Sequence, residues 1–334
     1  MKKLSKRRRK LIRATCLVLI VLLFIILGWV VLKWWDGKQV YTGSESSTGL
    51  EKNISYQGKE YVRNEEIETI LVLGLDEFSE NVNNSSYKNN QQADFVMLLV
   101  VDNEKKTCSA IHINRDTMTD VDVLGVSGGK IDTVNAQLAL SYAYGNGGVS
   151  SCHNTENSVS KVLCGLDIDH VISITMDAVP AFNDLVGGVE VEVMDDFSAI
   201  DKELVKGKTV TLTGEQAVTY VRSREHLEDS TNDRRMERQR QYLNALYDTA
   251  KLCVEKDDTF IIDAAECIDG HFVSDYYDSA TRMQELMERL SQYDFKGISS
   301  LEGESKKGEE YMEFYPDEEA VKELIVSMIY LPKK

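Results

Sequence analysis

Proline occurs only three times in 334 residues, which excludes a Pro-rich stalk. No internal repeat or long low-complexity tract is present, so solenoid and array architectures fall away. The six cysteines and five histidines form no CxxC and no paired Cys/His spacing, which argues against structural zinc. No Ser/His/Asp arrangement can be assembled around Ser223. Basic charge is also scarce over most of the chain. Residues 1–13 carry eight Lys and Arg and no acid, which leaves 30 Lys and Arg against 55 Asp and Glu beyond Arg13, a net charge of −25. A body this acidic repels a phosphate backbone, so nucleic acid is not expected as a partner.

What is present begins with a long apolar run. Residues 14–32 (ATCLVLIVLLFIILGWVVL) hold nothing more polar than Thr15. Nineteen residues at about 1.5 Å each span about 28 Å, close to the hydrocarbon thickness of a bilayer. Trp29, Trp34 and Trp35 mark the far interface, and the preceding basic run holds the N-terminus in the cytoplasm. A cleaved signal peptide would be shorter and would end in small residues. The expectation is therefore a cytoplasmic tail over 1–13, one transmembrane helix over 14–35, and an extracellular remainder anchored to the cell membrane. Cys108, Cys152, Cys164, Cys253 and Cys267 would then face an oxidising space, with their pairing open.

Residues 36–66 are polar and read as a tether. Buried strands are predicted at 67–75, 94–101 and 107–113, the last two flanking a hairpin turn at 102–106. Helical patterns follow at about 134–144 and 155–164, then a strand at 168–175, a helix at about 177–185 and a strand at 189–193. A helix starts at Gly214, a longer one covers 234–251, and amphipathic helices are expected over 280–290 and 317–328. This order implies an α/β or α+β fold, a mixed central β-sheet flanked by helices, behind the transmembrane helix. His112 reads as a packed strand residue, and His153 and His170 lie near turns without evident partners.

The chemistry concentrates in arginine. Of ten arginines beyond residue 13, six fall between 222 and 240: Arg222, Arg224, Arg234, Arg235, Arg238 and Arg240. Arg222 and Arg224 are two apart at a helix end and can splay into one cleft. Arg235, Arg238 and Gln239 share a helical face at i, i+3 and i+4. Planar guanidinium groups with fixed donors suit phosphate oxygens, and several together suit a diphosphate. Arg115 and Asp116 follow a buried strand, where a loop exposes side chains beside the sheet. Asp76 and Asp94 end one strand and begin another. If those strands pair antiparallel, both carboxylates reach one sheet edge, where one or two carboxylates can hold Mg²⁺ against a phosphate.

The segments LVLGLD (71–76), ADFVML (93–98), INRDT (113–117), LVGGVEV (185–191), GEQAVTYVRSR (214–224) and RMERQRQYL (235–243) together resemble the LytR-CpsA-Psr family. The likeness runs from about residue 67 to about residue 246. It implies a Mg²⁺-dependent phosphotransferase that moves a glycopolymer phosphate from undecaprenyl pyrophosphate to peptidoglycan. It places the catalytic domain over 67–255, with 256–334 as a C-terminal part packing on it or a small extension. It makes Asp76 and Asp94 the metal carboxylates. It makes Arg115, Arg222, Arg224, Arg235 and Gln239, with Arg238 on the same face, the pyrophosphate ligands. Asp116 becomes the group that positions or deprotonates the attacking hydroxyl. Three positions depart from the family pattern: Gln92 stands where an arginine or asparagine is common, Asn232 where an aspartate is common, and no arginine follows Asp76. A polyprenyl-pyrophosphate hydrolase and a non-enzymatic polyprenyl-phosphate sensor remain as alternatives. The polymer moved is not legible.

Overall fold

The structure, a computed structural model, describes residues 53–76 and 91–333. The basic tail, the transmembrane stretch and residues 77–79 after Asp76 lie outside the described residues. Among those described, no helix is long and apolar enough to cross a membrane.

The elements begin with β1 (Asn53–Tyr56), β2 (Lys59–Arg63), β3 (Ile67–Leu75), β4 (Ala93–Asp102), β5 (Thr107–Ile113), β6 (Met118–Leu124) and β7 (Lys130–Gln137). After these come α1 (Leu140–Ala143), α2 (Gly148–Val162), β8 (His170–Ile174), α3 (Ala178–Leu185), β9 (Val189–Glu192), β10 (Thr209–Leu212), α4 (Gly214–Arg222) and α5 (Asn232–Lys256). The chain closes with α6 (Phe260–Cys267), β11 (Phe272–Ser274), α7 (Ala280–Ser291), β12 (Asp294–Ser300), β13 (Gly303–Lys307), β14 (Met312–Pro316), α8 (Glu318–Ile329) and β15 (Tyr330–Pro332).

The central sheet has the order β11-β8-β3-β4-β5-β12. It is mixed: β3 is antiparallel to β4 and parallel to β8, and β12 runs parallel to β5. Strand β3 is apolar on both faces because both are covered. Leu71, Leu73 and Leu75 pack with residues of α2 and α8, whereas Ile70 and Val72 pack with residues of α3 and α7. A second core joins β9, β10, α4 and α5.

Several expectations change. The tether over 36–66 is, from Asn53 onward, a β-hairpin that pairs with β15. The helix expected at about 134–144 is only partly helical: residues up to Gln137 belong to the β6–β7 hairpin, and α1 alone is helical. Most of β7 is exposed and only its last two residues are buried, so the apolar positions that a helical window collects come from the end of β7 and from α1 together. Residues beyond 255 supply β11 and β12 to the central sheet. The five described cysteines are free thiols. His170 does have neighbours: its ring stacks on Tyr276 at 4.7 Å. His112 is 1% exposed beside the Phe95 ring, and burial pushes its pKa down to about 3, so it is a neutral packing residue.

Candidate active site

The two aspartates meet as antiparallel pairing requires. Leu75 lies opposite Ala93 and Gly74 opposite Phe95, so Asp94 is the extra residue of a β-bulge. A bulge re-aims one side chain, here the carboxylate. Gly74 permits the crossing, because a Cβ there would lie 2.9 Å from Phe95 Cβ. Asp94 Oδ1 accepts from Arg115 Nη1, and Oδ2 accepts from Arg235 Nη1 at 3.1 Å. Asp76 Oδ1 accepts from the Gln92 backbone N–H at 3.3 Å. Burial first, and then the nearby Asp94 charge, raise the Asp76 carboxyl above its ordinary range.

Arg115 and Asp116 are presented by a turn that Asn114 builds. The Asn114 side-chain oxygen accepts from Asp116 N at 2.9 Å, and its backbone oxygen accepts from Thr117 Oγ1 at 2.6 Å. Such an Asx turn ends β5 and lifts the next two side chains over the sheet edge. Arg115 Nη2 donates to Gln92 Oε1 at 2.6 Å, so the glutamine at the first unusual position orients this arginine. Asp116 is buried. Desolvation raises its carboxyl above the usual range, against opposing contributions from Arg115, Arg235 and Arg224. Only its Oδ1 is engaged among the described residues, by Gln137 Nε2 at 3.0 Å and by the Arg115 Nε charge at 3.5 Å.

The six clustered arginines divide by helix face and helix end. Helix α4 starts with a capping box between Thr213 and Gln216 and ends at Arg222. Ser223 is extended there (φ −65, ψ 138), so the chain leaves helical geometry between Arg222 and Arg224. Among the described residues, Arg222 donates only to the Asp76 backbone oxygen, at 3.4 Å. Arg224 has no hydrogen bond or ion pair with a described residue, although its charge acts on Asp116 and Arg235. Arg235 is 2% exposed, binding Asp94 and the Asn232 side-chain oxygen at 2.6 Å. Asn232 in turn donates to Asn114 Oδ1 at 2.7 Å, which gives the second unusual position a role in seating Arg235. The Nε atoms of Arg115 and Arg235 are buried donors without a hydrogen-bond partner among the described residues. Buried donors of this kind call for an acceptor.

Arg238 is a correction. It is fully buried, with Nη1 on Asp195 at 2.8 Å, Nε on Tyr220 O at 3.0 Å and Nη2 on Ser223 O at 2.5 Å. It caps the carbonyls at the end of α4 and holds the segment that carries Arg222 and Arg224. Its i+3 offset from Arg235 turns it toward α4 rather than toward the sheet edge. Gln239 is intermediate. Its Nε2 donates to Val221 O at 3.1 Å, and its side chain also lines the cavity described below. Arg234 pairs with Asp195 and Glu237, and Arg240 lies near His112, both outside the cradle.

No sequence signal announced what lies beneath the arginines. A cavity of about 310 Å³ sits over the sheet face that bears Val72, walled by α3, α5 and α7 through Val179, Phe182, Leu246 and Met287. It is apolar except at one rim, where Asp94, Arg222, Arg235 and Gln239 stand. Its lining comes from many separated segments, each an ordinary core stretch. The site therefore suits an amphipathic anion, with an apolar chain inside and a phosphate-rich head at the rim.

Asp76 and Asp94 also suit a divalent cation. Their carboxylates repel each other, and each oxygen carries two lone pairs, so Asp94 can accept both guanidiniums and still serve as a ligand. No group of three or more His, Cys, Asp or Glu that could hold a metal occurs among the described residues. Mg²⁺ asks for fewer protein ligands than that when phosphate oxygens complete its shell.

The LytR_cpsA_psr family model matches residues 36–322. The polyisoprenyl-teichoic acid–peptidoglycan teichoic acid transferase TagU of Bacillus mycoides (strain KBAB4) is 33% identical over 179 residues, 53% of this chain and 51% of that protein. The chain spans about half the length of the curated relatives it matches. Among solved structures, B. subtilis TagV aligns with a TM-score of 0.58 at 22% identity, covering 79% of this chain and 98% of that one. TagT bound to LIIa-WTA aligns with a TM-score of 0.58 at 19% identity, covering 79% and 90%. At these identities the structural likeness establishes a shared fold.

Proposed function

The chain belongs to the LytR-CpsA-Psr family, and on that premise we propose that it is a membrane-anchored, extracytoplasmic phosphotransferase that moves a glycopolymer phosphate from undecaprenyl pyrophosphate to peptidoglycan. The observation that carries this reading is the apolar cavity opening at Arg222, which among the described residues pairs with no carboxylate, beside Arg235 on Asp94, in a chain whose body is strongly acidic. Teichoic acid is the polymer that the relatives' names favour.

The polyprenyl chain lies in the cavity, and its diphosphate lies across Arg222 and Arg224, with Arg115 and Arg235 behind. Asp116 takes the proton of a peptidoglycan hydroxyl as its oxygen attacks the phosphorus nearest the glycan. The bond from that phosphorus to the bridging oxygen breaks, and undecaprenyl phosphate leaves with the electron pair. Guanidinium groups aimed at the transferring phosphoryl stabilise charge that develops there and need no reorganisation. Asp76 and Asp94 would hold a Mg²⁺, which supplies further positive charge to the phosphate oxygens.

The test uses the full chain in detergent with a synthetic polyprenyl-pyrophosphoryl disaccharide, Mg²⁺ and isolated peptidoglycan, and reads the release of polyprenyl phosphate. Arg224→Ala is expected to cut turnover by about 10²-fold or more, the scale for one electrostatic donor at a transition state. Its Tm should stay unchanged, because Arg224 holds no other described group. Wild-type turnover in this variant overturns the reading. Release that continues at the same rate without peptidoglycan makes the protein a hydrolase instead.

The cavity makes a separate prediction. Val179→Phe places a ring where the lipid chain would lie. The variant should lose at least about tenfold in kcat/KM for an undecaprenyl donor, about the discrimination of 1–3 kcal/mol that apolar pocket contacts supply. A two-isoprene donor should be turned over as before. Equal losses for both donors would show that the chain does not enter this cavity.

A further inference from the structure

Gln137 ends β7, opposite Met118 in the hairpin that follows the Asp116 turn, and is 8% exposed. Its Nε2 donates to Asp116 Oδ1 at 3.0 Å and to the Met312 backbone oxygen at 2.7 Å. A carboxylate and a carbonyl only accept, so both amide hydrogens are committed and the amide can face only one way. Met312 belongs to the β13–β14 hairpin, far along the chain from the Asp116 turn.

That hairpin grips the same turn by two further routes. Phe314 N donates to Asp116 O at 2.9 Å, and Thr117 bridges to Phe314 in parallel. Ser305 Oγ donates to Asp233 Oδ2 at 2.9 Å; Asp233 Oδ1 accepts from Asn114 Nδ2 at 2.9 Å; and Asn114 Oδ1 accepts from Asp116 N. The backbone of Asp116 is thus clamped from two sides. Of its side chain, only Oδ1 is tied, and the one hydrogen bond to it among the described residues comes from Gln137.

We propose that Gln137 is a positioning residue for Asp116, braced through Met312 by the β13–β14 hairpin, so that this hairpin is a working part of the active-site wall. The amide anchors Oδ1 and leaves Oδ2 directed at the acceptor hydroxyl. The inference rests on Asp116 being the base in the proposed transfer. A group that holds the carboxylate by one N–H also favours its ionised form, so loss of that N–H makes the base harder to ionise. An acid in its place does more, because two carboxylates at hydrogen-bond distance cannot both be charged.

The experiment compares wild type, Gln137→Met, Gln137→Glu and Asp116→Asn as full-length proteins, with the disaccharide donor and peptidoglycan, across pH. Gln137→Met should lower kcat about tenfold or more with the donor KM within twofold, and should move the acid limb of kcat to higher pH. The near-isosteric Gln137→Glu removes at least one of the two bonds that the amide donates, so its Tm is read beside turnover, and it should move that limb by at least one pH unit. If Asp116→Asn is inactive while both Gln137 variants keep the wild-type limb, the positioning role is overturned and the base stands. If Asp116→Asn turns over like wild type, the base reading falls and takes this inference with it.

Discussion

Asparagine at position 116 should reduce kcat for polyprenyl phosphate release by about 10³-fold, within the range that a positioned general base contributes. The exchange is isosteric, and the new side-chain oxygen still accepts from Gln137 Nε2, so Tm should hold within a few degrees. The donor KM should also hold, since the guanidinium cradle is untouched. In the wild type the base must be ionised to accept a proton. Burial raises the Asp116 carboxyl, so activity should fall as pH drops through that raised value, at a higher pH than an exposed aspartate would give. The acid limb of the kcat profile checks the sign. A limb in the ordinary aspartate range, or full activity in the variant, would remove Asp116 from the chemistry.

The second large effect concerns stability. Arg238→Ala should lower Tm by about 10 °C, from a loss of about 3–5 kcal/mol when one member of a buried ion pair is removed. Asp195 is nearly inaccessible and keeps Arg234 as a partner, while Tyr220 O and Ser223 O lose their donor. The side chain also covers the Phe197 ring, at 5.3 Å. Activity should fall as well, because the end of α4 that bears Arg222 and Arg224 is no longer held. Differential scanning fluorimetry beside turnover separates this from Arg224→Ala, which should lose turnover at constant Tm. A stable, inactive Arg238→Ala would return Arg238 to the ligand set.

These contrasts explain which assignments could be made without coordinates. Arg222 and Arg224 were recognisable because they stand close together in a chain with few arginines and many acids. The pairing of Asp76 with Asp94 needed only two buried strands and one antiparallel assumption, and β3 and β4 meet it. Arg238 could not be separated from Arg235. A helical wheel shows which residues share a face, but not which element lies against each flank of it. The β6–β7 hairpin was missed because its alternation is mostly polar and exposed, whereas β3, β4 and β5 are apolar enough to be legible alone.

What the order of residues determined by itself was local: apolar runs that become strands, helix starts and stops, and an arginine concentration with one plausible chemical use. Tertiary packing decided the rest. Gln92, Gln137 and Asn232 acquire roles only where distant backbone brings an acceptor or donor within about 3 Å, and an amide has no preference for one partner over another until burial removes water. The cavity likewise exists only where three helices stand off from one sheet face.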